Sequence, residues 1–477
     1  TGVGYYALSS NTTAGFNTGI GNAALQTTTE GHSNTAVGSS ALNKVTTGDF
    51  NVAVGYNAGL SMTTGDRSVA IGPESLDACT TGQYNVAIGS SALGSLTTAD
   101  DNIAIGVNAG AAITTGHSNT AVGSYSLDAN TTANDNTAIG KYSLSANTTG
   151  ASNTAIGKDS LATNTTASYS TAVGVASLIV NTTGERNVAM GYYALGANTT
   201  GDYNTALGTR SLIANTTADN NTAVGYDALV ANTTGASNTA VGAFALDASD
   251  DGVQNVAVGI LALSANCGNA NTAVGPECLT ACTGANNTGI GKDAGISVTS
   301  GGNNSFLGYQ AGVTGSPGGA ISTGSNEIVL GDENITESHI QVDWTVASDQ
   351  RDKTDFTALD LGLDFVKALA PVTYKWDKRS KYIDKSDPSV DLDTVTHDGT
   401  HKEDWLDIGF KAQEVETLEK AAGYKIADKT NLTTNLSGDG KQYGIQYSKF
   451  VPILVKAIQE QNALIEALTA RITTLEG

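Results

Sequence analysis

The chain is poor in residues that build disulfide frameworks or large compact cores. Its 477 residues include only 6 prolines, 4 cysteines, 2 methionines and 3 tryptophans. The cysteines, Cys79, Cys267, Cys278 and Cys282, are too few and too scattered for a disulfide framework, so we expect them to pack as small hydrophobic side chains. No apolar run is long enough to span a bilayer, which argues against membrane insertion.

Basic residues are also scarce, with 24 Lys and Arg against 46 Asp and Glu and a formal net charge of −22. The imbalance is concentrated in residues 1–347, which carry 7 basic and 24 acidic residues. A surface of this sign does not favour nucleic-acid phosphates, and we expect no nucleic-acid partner. We interpret the acidic charge as solubilising rather than as a site for a specific cationic partner.

Glycine, by contrast, is abundant and periodic. Nineteen of the 56 glycines recur every 17 residues from Gly4 to Gly259 and then at Gly275, Gly291 and Gly308. A repeat this short cannot bury a core alone, so the period predicts a solenoid or roll of stacked rungs.

The residues around each periodic glycine form columns of constant chemistry. The residue immediately before the glycine is aliphatic, as in Ile20 and Val37, and we predict that this aliphatic column forms the core. The residue three positions after the glycine is small, and the next is Leu in most copies. In four copies that Leu is replaced by glycine: Gly59, Gly110, Gly295 and Gly312.

The residue four positions before the glycine is Asn in nearly every copy and Ser only at Ser68 and Ser170. Stacked rungs would turn this asparagine column into a hydrogen-bonded ladder. Segments such as Asn147–Gly150 have the composition of turns, so we predict two short strands and two turns per copy. Because such a rung has a thin core, we expect chains to associate laterally and share it.

The repeat pattern ends near Gly308. We predict a repetitive β-shaft over 1–312 with 19 copies, a Gly/Ser-rich transition over 313–347, and a separate region over 348–477. Two segments of the transition read as short strands, Asn326–Gly331 and Ser338–Val346.

The last thirty residues predict a helix, about 450–476, with an apolar heptad. Ile at the first seam position and Leu at the second favour two strands by the simple rule, so the seam indicates an oligomer without fixing three chains. Packing of the helix against its own domain is the alternative. The seam positions are Val451, Leu454, Ile458, Gln461, Ile465, Leu468, Ile472 and Leu475.

Other polar clusters have a weaker pattern. His397 and His401 are spaced like metal ligands, but an acidic loop with Gly399 surrounds them and favours a solvated loop. The acidic residues Asp387, Asp391 and Asp393 lack the glycine and terminal Glu of a calcium loop. We therefore predict no metal site and no cofactor.

Four ordered blocks near the end of the chain carry a family resemblance. The blocks are Ala347–Lys353, Phe365–Trp376, Gly409–Val415, and Tyr443–Tyr447 leading into Pro452–Glu460. Together they resemble the intramolecular chaperone auto-processing domain at the C-terminus of bacteriophage tail spikes and fibres, over about 348–477. The repeats resemble, more loosely, the head rolls of trimeric autotransporter adhesins and other fibrous phage proteins.

The resemblance implies a domain that trimerises a fibre, helps it fold and then releases itself. In that family a Ser and a Lys five residues later form the catalytic pair, which here corresponds to Ser348 and Lys353, with the cut at or next to the Ala347–Ser348 bond. A neutral lysine amine can take the hydroxyl proton while the oxygen attacks a peptide carbonyl of the adjoining chain. Asp349 and Arg351 match the same motif and are expected to position the scissile turn.

The motif departs from the family at one position. Asp352 stands where the family usually has an apolar residue, and a neighbouring carboxylate favours the charged form of Lys353. We therefore expect cleavage to be slowed or lost.

These features together predict a mainly β protein, with a trimeric 17-residue-period β-solenoid or β-roll shaft followed by a small α+β chaperone domain ending in a coiled-coil helix. The expected function is a phage tail fibre or spike, located in the virion and assembled in the cytoplasm of the host bacterium. Expected partners are further copies of the chain, other tail proteins and a glycan or protein receptor on the bacterial surface. Since Thr1 opens in mid-repeat, we expect an attachment region before it.

Two other functions stay open on the sequence. One is a trimeric bacterial surface adhesin that uses the same chaperone, and the other is a glycan-depolymerising tail spike. Against the second, the repeats contain no insertion able to build a cleft and no constant pair of carboxylates.

Overall fold

A computed structural model of the chain describes residues 1–341, 346–383, 391–437 and 439–477. The described residues form two compact units, Thr1–Asn287 and Thr288–Gly477. The fold is mainly β, with a parallel solenoid of 17-residue rungs, which confirms the solenoid predicted from the glycine period.

The first unit stacks one short strand per rung in parallel register, so that Thr18 pairs with Thr35 and Thr35 with Val52. The prediction of two strands per copy is wrong, because the rest of each rung consists of turns and bends. The strands are β1 (Gly2–Val3), β2 (Thr18–Ile20), β3 (Thr35–Val37), β4 (Val52–Val54), β5 (Val69–Ile71), β6 (Val86–Ile88), β7 (Ile103–Ile105), β8 (Thr120–Val122), β9 (Thr137–Ile139), β10 (Thr154–Ile156), β11 (Thr171–Val173), β12 (Val188–Met190), β13 (Thr205–Leu207), β14 (Thr222–Val224), β15 (Thr239–Val241), β16 (Val256–Val258) and β17 (Thr272–Val274).

The second unit begins with three strands of the same kind and continues into a small α+β region. Strand β20 falls in the predicted segment Asn326–Gly331 and pairs in parallel with β19. The described part of the other predicted strand, 338–341, is irregular, and 342–345 lie outside the described residues. The elements are β18 (Thr288–Ile290), β19 (Ser305–Leu307), β20 (Ile328–Leu330), α1 (Leu363–Ala368), β21 (Val372–Tyr374), β22 (Asp407–Gly409), α2 (Ala412–Ala421), β23 (Thr434–Leu436), β24 (Tyr443–Ile445) and α3 (Phe450–Glu476).

The core of the solenoid is not the aliphatic column. Side chains alternate across a strand, and the structure turns the middle residue of each strand inward, so that Ala36 is fully buried while Ile20 is 41% exposed. The inner columns are this alanine, the small residue after the glycine, and the Leu that follows it, as at Ala41 and Leu42. The prediction that the aliphatic column forms the core is therefore wrong.

The inward position is small because the leucine column occupies the space that faces it. At Gly19, which takes the place of the alanine, an added Cβ would lie 3.3 Å from Cγ of Leu8. Strand β19 carries a large residue at the inward position, and it fits this explanation. Phe306 is buried there against Gly312, which stands in place of the leucine in that copy of the repeat. The rungs thus bury a core within one chain, while the expected lateral association of chains and sharing of a core stays a prediction.

The predicted asparagine ladder is present. The backbone N–H of Asn34 donates to Oδ1 of Asn17 at 2.8 Å, and Nδ2 of Asn34 donates to the carbonyl of Gly48 at 2.7 Å. Ser68 continues the ladder by accepting from the N–H of Asn85 at 3.2 Å. The ladder satisfies buried polar groups that close stacking would otherwise leave without partners.

A second asparagine ladder lies in the turns. Nδ2 of Asn164 donates to Oδ1 of Asn147 at 2.8 Å, and Nδ2 of Asn198 donates to Oδ1 of Asn181 at 2.9 Å. These side chains are fully buried, so they do more than form turns. The members are Asn130, Asn147, Asn164, Asn181, Asn198, Asn215 and Asn232.

Left-handed backbone explains the periodic glycines. Gly140 has φ 134°, and a Cβ there would lie 2.4 Å from the carbonyl oxygen of Gly157. The leucine column is also left-handed, with φ 50° at Leu144, which accounts for the copies that carry glycine there, such as Gly59 with φ 62°.

The small region of the second unit has its own core. Leu361, Phe365, Val415, Phe450 and Ile453 form a buried cluster that joins α1, α2 and the start of α3. Both oxygens of the fully buried Glu419 accept hydrogen bonds from the segment that leads into β23, including those from the N–H and hydroxyl of Thr433 at 2.5 and 2.9 Å.

Helix α3 presents two faces. One face, with Phe450, Ile453 and Ala457, packs into the core cluster, as the alternative interpretation expected. The heptad face is exposed, and Ile458 and Ile465 are 58% and 52% exposed. Among the described residues, no helix is long and apolar enough to cross a membrane. The four cysteines are buried, as predicted.

We predict that Gly140→Ala destabilises the first unit, because the new Cβ collides with the carbonyl of Gly157 and the left-handed backbone adds about 1–3 kcal/mol of strain. Gly94→Ala is the matched control, since its Cβ would be no closer than 3.3 Å to another atom. Thermal unfolding followed by circular dichroism should show a lower Tm for Gly140→Ala only. Equal Tm values for the two variants would contradict this account of the glycine column.

We also predict that Glu419→Gln destabilises the small region by about 2–3 kcal/mol, because an amide cannot accept at both oxygens and leaves buried donors unpaired. Glu414→Gln on the same helix removes only an exposed pair with Lys411 and should change stability by less than about 1 kcal/mol. Urea unfolding followed by tryptophan fluorescence measures this region, since the tryptophans are Trp344, Trp376 and Trp405. Equal midpoints for the two variants would show that the buried carboxylate is dispensable.

Candidate processing site at Ser348 and Lys353

The candidate site is built on a tight turn that follows the Ala347–Ser348 bond. Residues Gln350–Asp352 form one turn of 3-10 helix, and Asp349 caps it by accepting the N–H of Arg351 at 2.9 Å. An aspartate favours this geometry because its short side chain reaches the backbone two residues ahead. The turn reverses the chain so that Lys353 comes back toward Ser348.

The Ser–Lys pair expected from the sequence is in direct contact. Nζ of Lys353 lies 2.5 Å from Oγ of Ser348 and 3.4 Å from the Ser348 carbonyl oxygen. A distance of this size is within reach for proton transfer between a hydroxyl and an amine. The structure therefore brings these two residues together, while their catalytic role stays a prediction.

The two supporting residues form a separate pair on the same turn. The guanidinium of Arg351 donates from Nε to both oxygens of Asp349, at 3.1 and 3.2 Å, and from Nη2 to Oδ2 at 2.5 Å. The Arg351 side chain, and then its backbone N–H, lower the pKa of Asp349. Asp349 and Arg351 are therefore joined within the turn that brings Ser348 and Lys353 into contact, while their positioning role in cleavage stays a prediction.

The whole candidate site is exposed in the single chain. Residues 346–358, which include Ala347, are all open to solvent. A lysine serves as a general base only when its amine is neutral, and burial favours that form. The contact between the two side chains is thus in place, but none of the described residues of one chain covers it.

Asp352 does not engage Lys353. Within the described residues no ion pair joins these two side chains, and Asp352 lies inside the 3-10 turn while Lys353 caps its end. The departure from the family motif therefore leaves the Ser–Lys contact intact. Whether it slows cleavage stays a prediction.

The remaining polar clusters have structural partners. Nδ1 of His397 lies 3.5 Å from a carboxylate oxygen of Asp377, and the backbone N–H of His401 donates to the hydroxyl of Tyr382 at 3.1 Å. Asp391 caps a short 3-10 turn. Within the described ranges, no group of three His, Cys, Asp or Glu side chains could hold a metal ion.

Asp393, the other described member of that acidic set, binds Arg379 at 2.7 Å. Asp387 lies outside the described residues. Among the described residues the acidic loop therefore contributes one cap of a 3-10 turn and ion pairs with Arg379 and Lys441.

Sequence reasoning missed Glu419 as the main polar anchor of this region. It lies in α2 among other charged residues, Glu414, Glu416 and Lys420, so its sequence context resembles a solvated face. The hydrogen-bonding partners in 432–434 are more than ten residues away. Only the three-dimensional fold identifies the buried carboxylate.

The similarity to known proteins lies in the C-terminal region. Residues 348–424 match the sequence model of a family described as the chaperone of endosialidase. No curated protein matches the chain. The matched segment begins at Ser348 and includes Lys353, α1 and α2. The C-terminal region is thus similar to the chaperone of endosialidase, and it follows a β-solenoid, a combination that fits a tail-spike-like or tail-fibre-like protein.

Proposed function

We propose that the chain is the shaft and C-terminal chaperone of a bacteriophage tail fibre or spike that attaches the virion to its host. The observation that carries the proposal is the junction of a long parallel β-solenoid with a segment similar to the chaperone of endosialidase. The shaft is structural or recognises a glycan or protein on the bacterial surface. Its other partners are tail proteins of the virion, and assembly takes place in the host cytoplasm.

The fibre is a homotrimer in this proposal. The exposed heptad face of α3 supports association, because a helix in water does not keep an apolar seam open without cost. A neighbouring face of the same helix packs against its own domain, so the two faces can act together. The number three comes from the family likeness of the C-terminal region.

A chaperone domain would prevent register errors that the repeat allows during folding. Rungs with the same columns can pair one rung out of register and lose little at each contact. A compact trimer-forming region fixes the relative positions of the chains before the shafts associate. Removing it afterwards leaves the assembled fibre kinetically trapped.

Self-cleavage at Ala347–Ser348 would use the contact seen in the turn. The Lys353 amine takes the Ser348 hydroxyl proton, and Oγ attacks the carbonyl carbon of Ala347. Collapse of the tetrahedral intermediate breaks the C–N bond, and the proton passes to the Ser348 nitrogen to leave an ester. Water then hydrolyses the ester, which frees the Ala347 carboxylate and restores the Ser348 hydroxyl.

We predict that the wild-type chain is cut slowly at Ala347–Ser348 after expression, whereas Ser348→Ala and Lys353→Ala stay intact because each removes one half of the pair. Intact-mass spectrometry would show two fragments only in the wild type. Lys367→Ala is the matched control, since Lys367 lies in the same region but pairs with Asp364, and it should be cut like the wild type. Full-length protein in the wild type under all conditions would refute cleavage.

The variant Asp352→Asn tests whether the Asp352 carboxylate slows cleavage. If its carboxylate favours the charged form of Lys353, Asp352→Asn should cut faster than the wild type. A time course of fragment formation measures the rate. An unchanged rate would show that this departure from the family motif is harmless.

We predict that Ile465→Asp in α3 disrupts the oligomer, because it places a charge in the apolar seam. Ala470→Asp is the matched control, as it adds the same charge on an exposed helix position outside the seam. Sedimentation of the uncut Ser348→Ala protein should give a trimer for the parent and the control, and smaller species for Ile465→Asp. A monomeric parent at micromolar concentration would contradict the trimer.

A further inference from the structure

The first unit exposes an apolar sheet face along its length. We define the sheet face as the first and third residues of strands β2–β17. In each strand these two side chains are partly or largely exposed while the middle one is buried. The third residue is the aliphatic column, and Ile156 is a representative member with 38% exposure.

The sheet face carries no charge. Its first column contains Thr, Val or Ile, and its second contains Val, Ile, Leu or Met in every one of these strands. The acidic residues that give the shaft its charge lie in other columns, for example Asp49, Asp66 and Asp202. Two copies can therefore meet at this face without bringing columns of carboxylates together.

The spacing of the face restricts what can cover it. Branched side chains recur at one strand spacing, about 4.8 Å, over sixteen rungs. Only a surface with the same repeat can interdigitate with all of them, and a second copy of this chain supplies that surface. The exposed heptad of α3 shows an apolar seam in the same chain, so both units present faces suited to like copies.

The length of the sheet face suits a stable interface. A standard interface buries roughly 800 Å² per partner, which over sixteen rungs requires only about 50 Å² from each rung. The core is already closed within one chain, so the face is left for contacts between chains.

We propose that the sheet face is the surface on which the shafts of neighbouring copies pack, in parallel and in register, so that each aliphatic column meets its own counterpart. The proposal rests on the proposed oligomeric fibre and adds the surface by which the shafts associate. It also gives the aliphatic column a function, since the column is not part of the core.

Cysteine cross-linking of the full-length Ser348→Ala protein tests the proposal. In a parallel, in-register bundle, Ile156→Cys faces its copy in the next chain. Packed sheet faces lie about 10 Å apart, which is within reach of a short bismaleimide cross-linker. Thr149→Cys is the matched control, because Thr149 is exposed in a turn of the neighbouring rung outside the sheet face. Ile139→Cys gives a second position on the face in case Ile156→Cys does not fold.

The native cysteines do not interfere with the cross-linking experiment. All four are buried, and burial raises the pKa of Cys79 and Cys267 to about 11, so these thiols stay protonated at neutral pH. Treatment with the cross-linker followed by denaturing electrophoresis then shows linked chains, and sedimentation before treatment gives the oligomeric state.

The outcomes separate this inference from the proposed function. An oligomer in which Ile156→Cys cross-links at least tenfold more than Thr149→Cys supports the sheet face. An oligomer with no cross-link at either face position, or with equal cross-linking at Thr149, overturns the sheet face and leaves the proposed fibre standing. A monomer by sedimentation overturns both.

Discussion

Close stacking of identical backbone is the constraint on which the shaft depends. Consecutive rungs pair strand on strand at 17-residue steps, and the periodic glycines approach each other so closely that a Cβ would meet the next carbonyl. Once this spacing is imposed, every column must hold residues that tolerate their own copies as neighbours. Leucine stacks on leucine and asparagine donates to asparagine, so the repeat in the sequence follows from the repeat in space.

Several parts of this fold could be predicted from the sequence, and others could not. The period, the asparagine ladder and the small and leucine columns follow from residue types at constant spacing. The identity of the core column did not, because a Thr-Ala-Val strand presents either the alanine or its larger neighbours inward, and hydrophobicity favours the larger ones. The leucine column decides the matter, since its left-handed backbone directs it into the space opposite the alanine.

The second asparagine ladder was hidden for a related reason. Asn-Thr-Thr-Gly has the composition of an exposed turn, and only the stacked rungs show that its asparagine points inward. In the candidate site, the residue pair Ser348 and Lys353 came from the family likeness, while the turn capped by Asp349 explains how a five-residue spacing produces a contact. The buried Glu419 has no sequence signature, because its partners are supplied by a distant segment.

The chain joins two regions with opposite properties. The first unit gains its order from repetition and therefore carries little information about register, whereas the small region has a unique core around Phe365 and Phe450 and an apolar helix face free for association. Aligning the chains through the unique region and then extending order along the repetitive one is a route that avoids register errors. Cleavage after assembly would leave the stack without the element that started it.

The most direct test of the account compares refolding of the shaft with and without the C-terminal region. The full-length Ser348→Ala protein and a chain ending at Ala347 would be unfolded, refolded and analysed by sedimentation and electron microscopy. We predict uniform fibres of one oligomeric state from the full-length protein and misassembled or aggregated material from the shorter chain. Uniform fibres of the same oligomeric state from the shorter chain alone would contradict a chaperone role for residues 348–477.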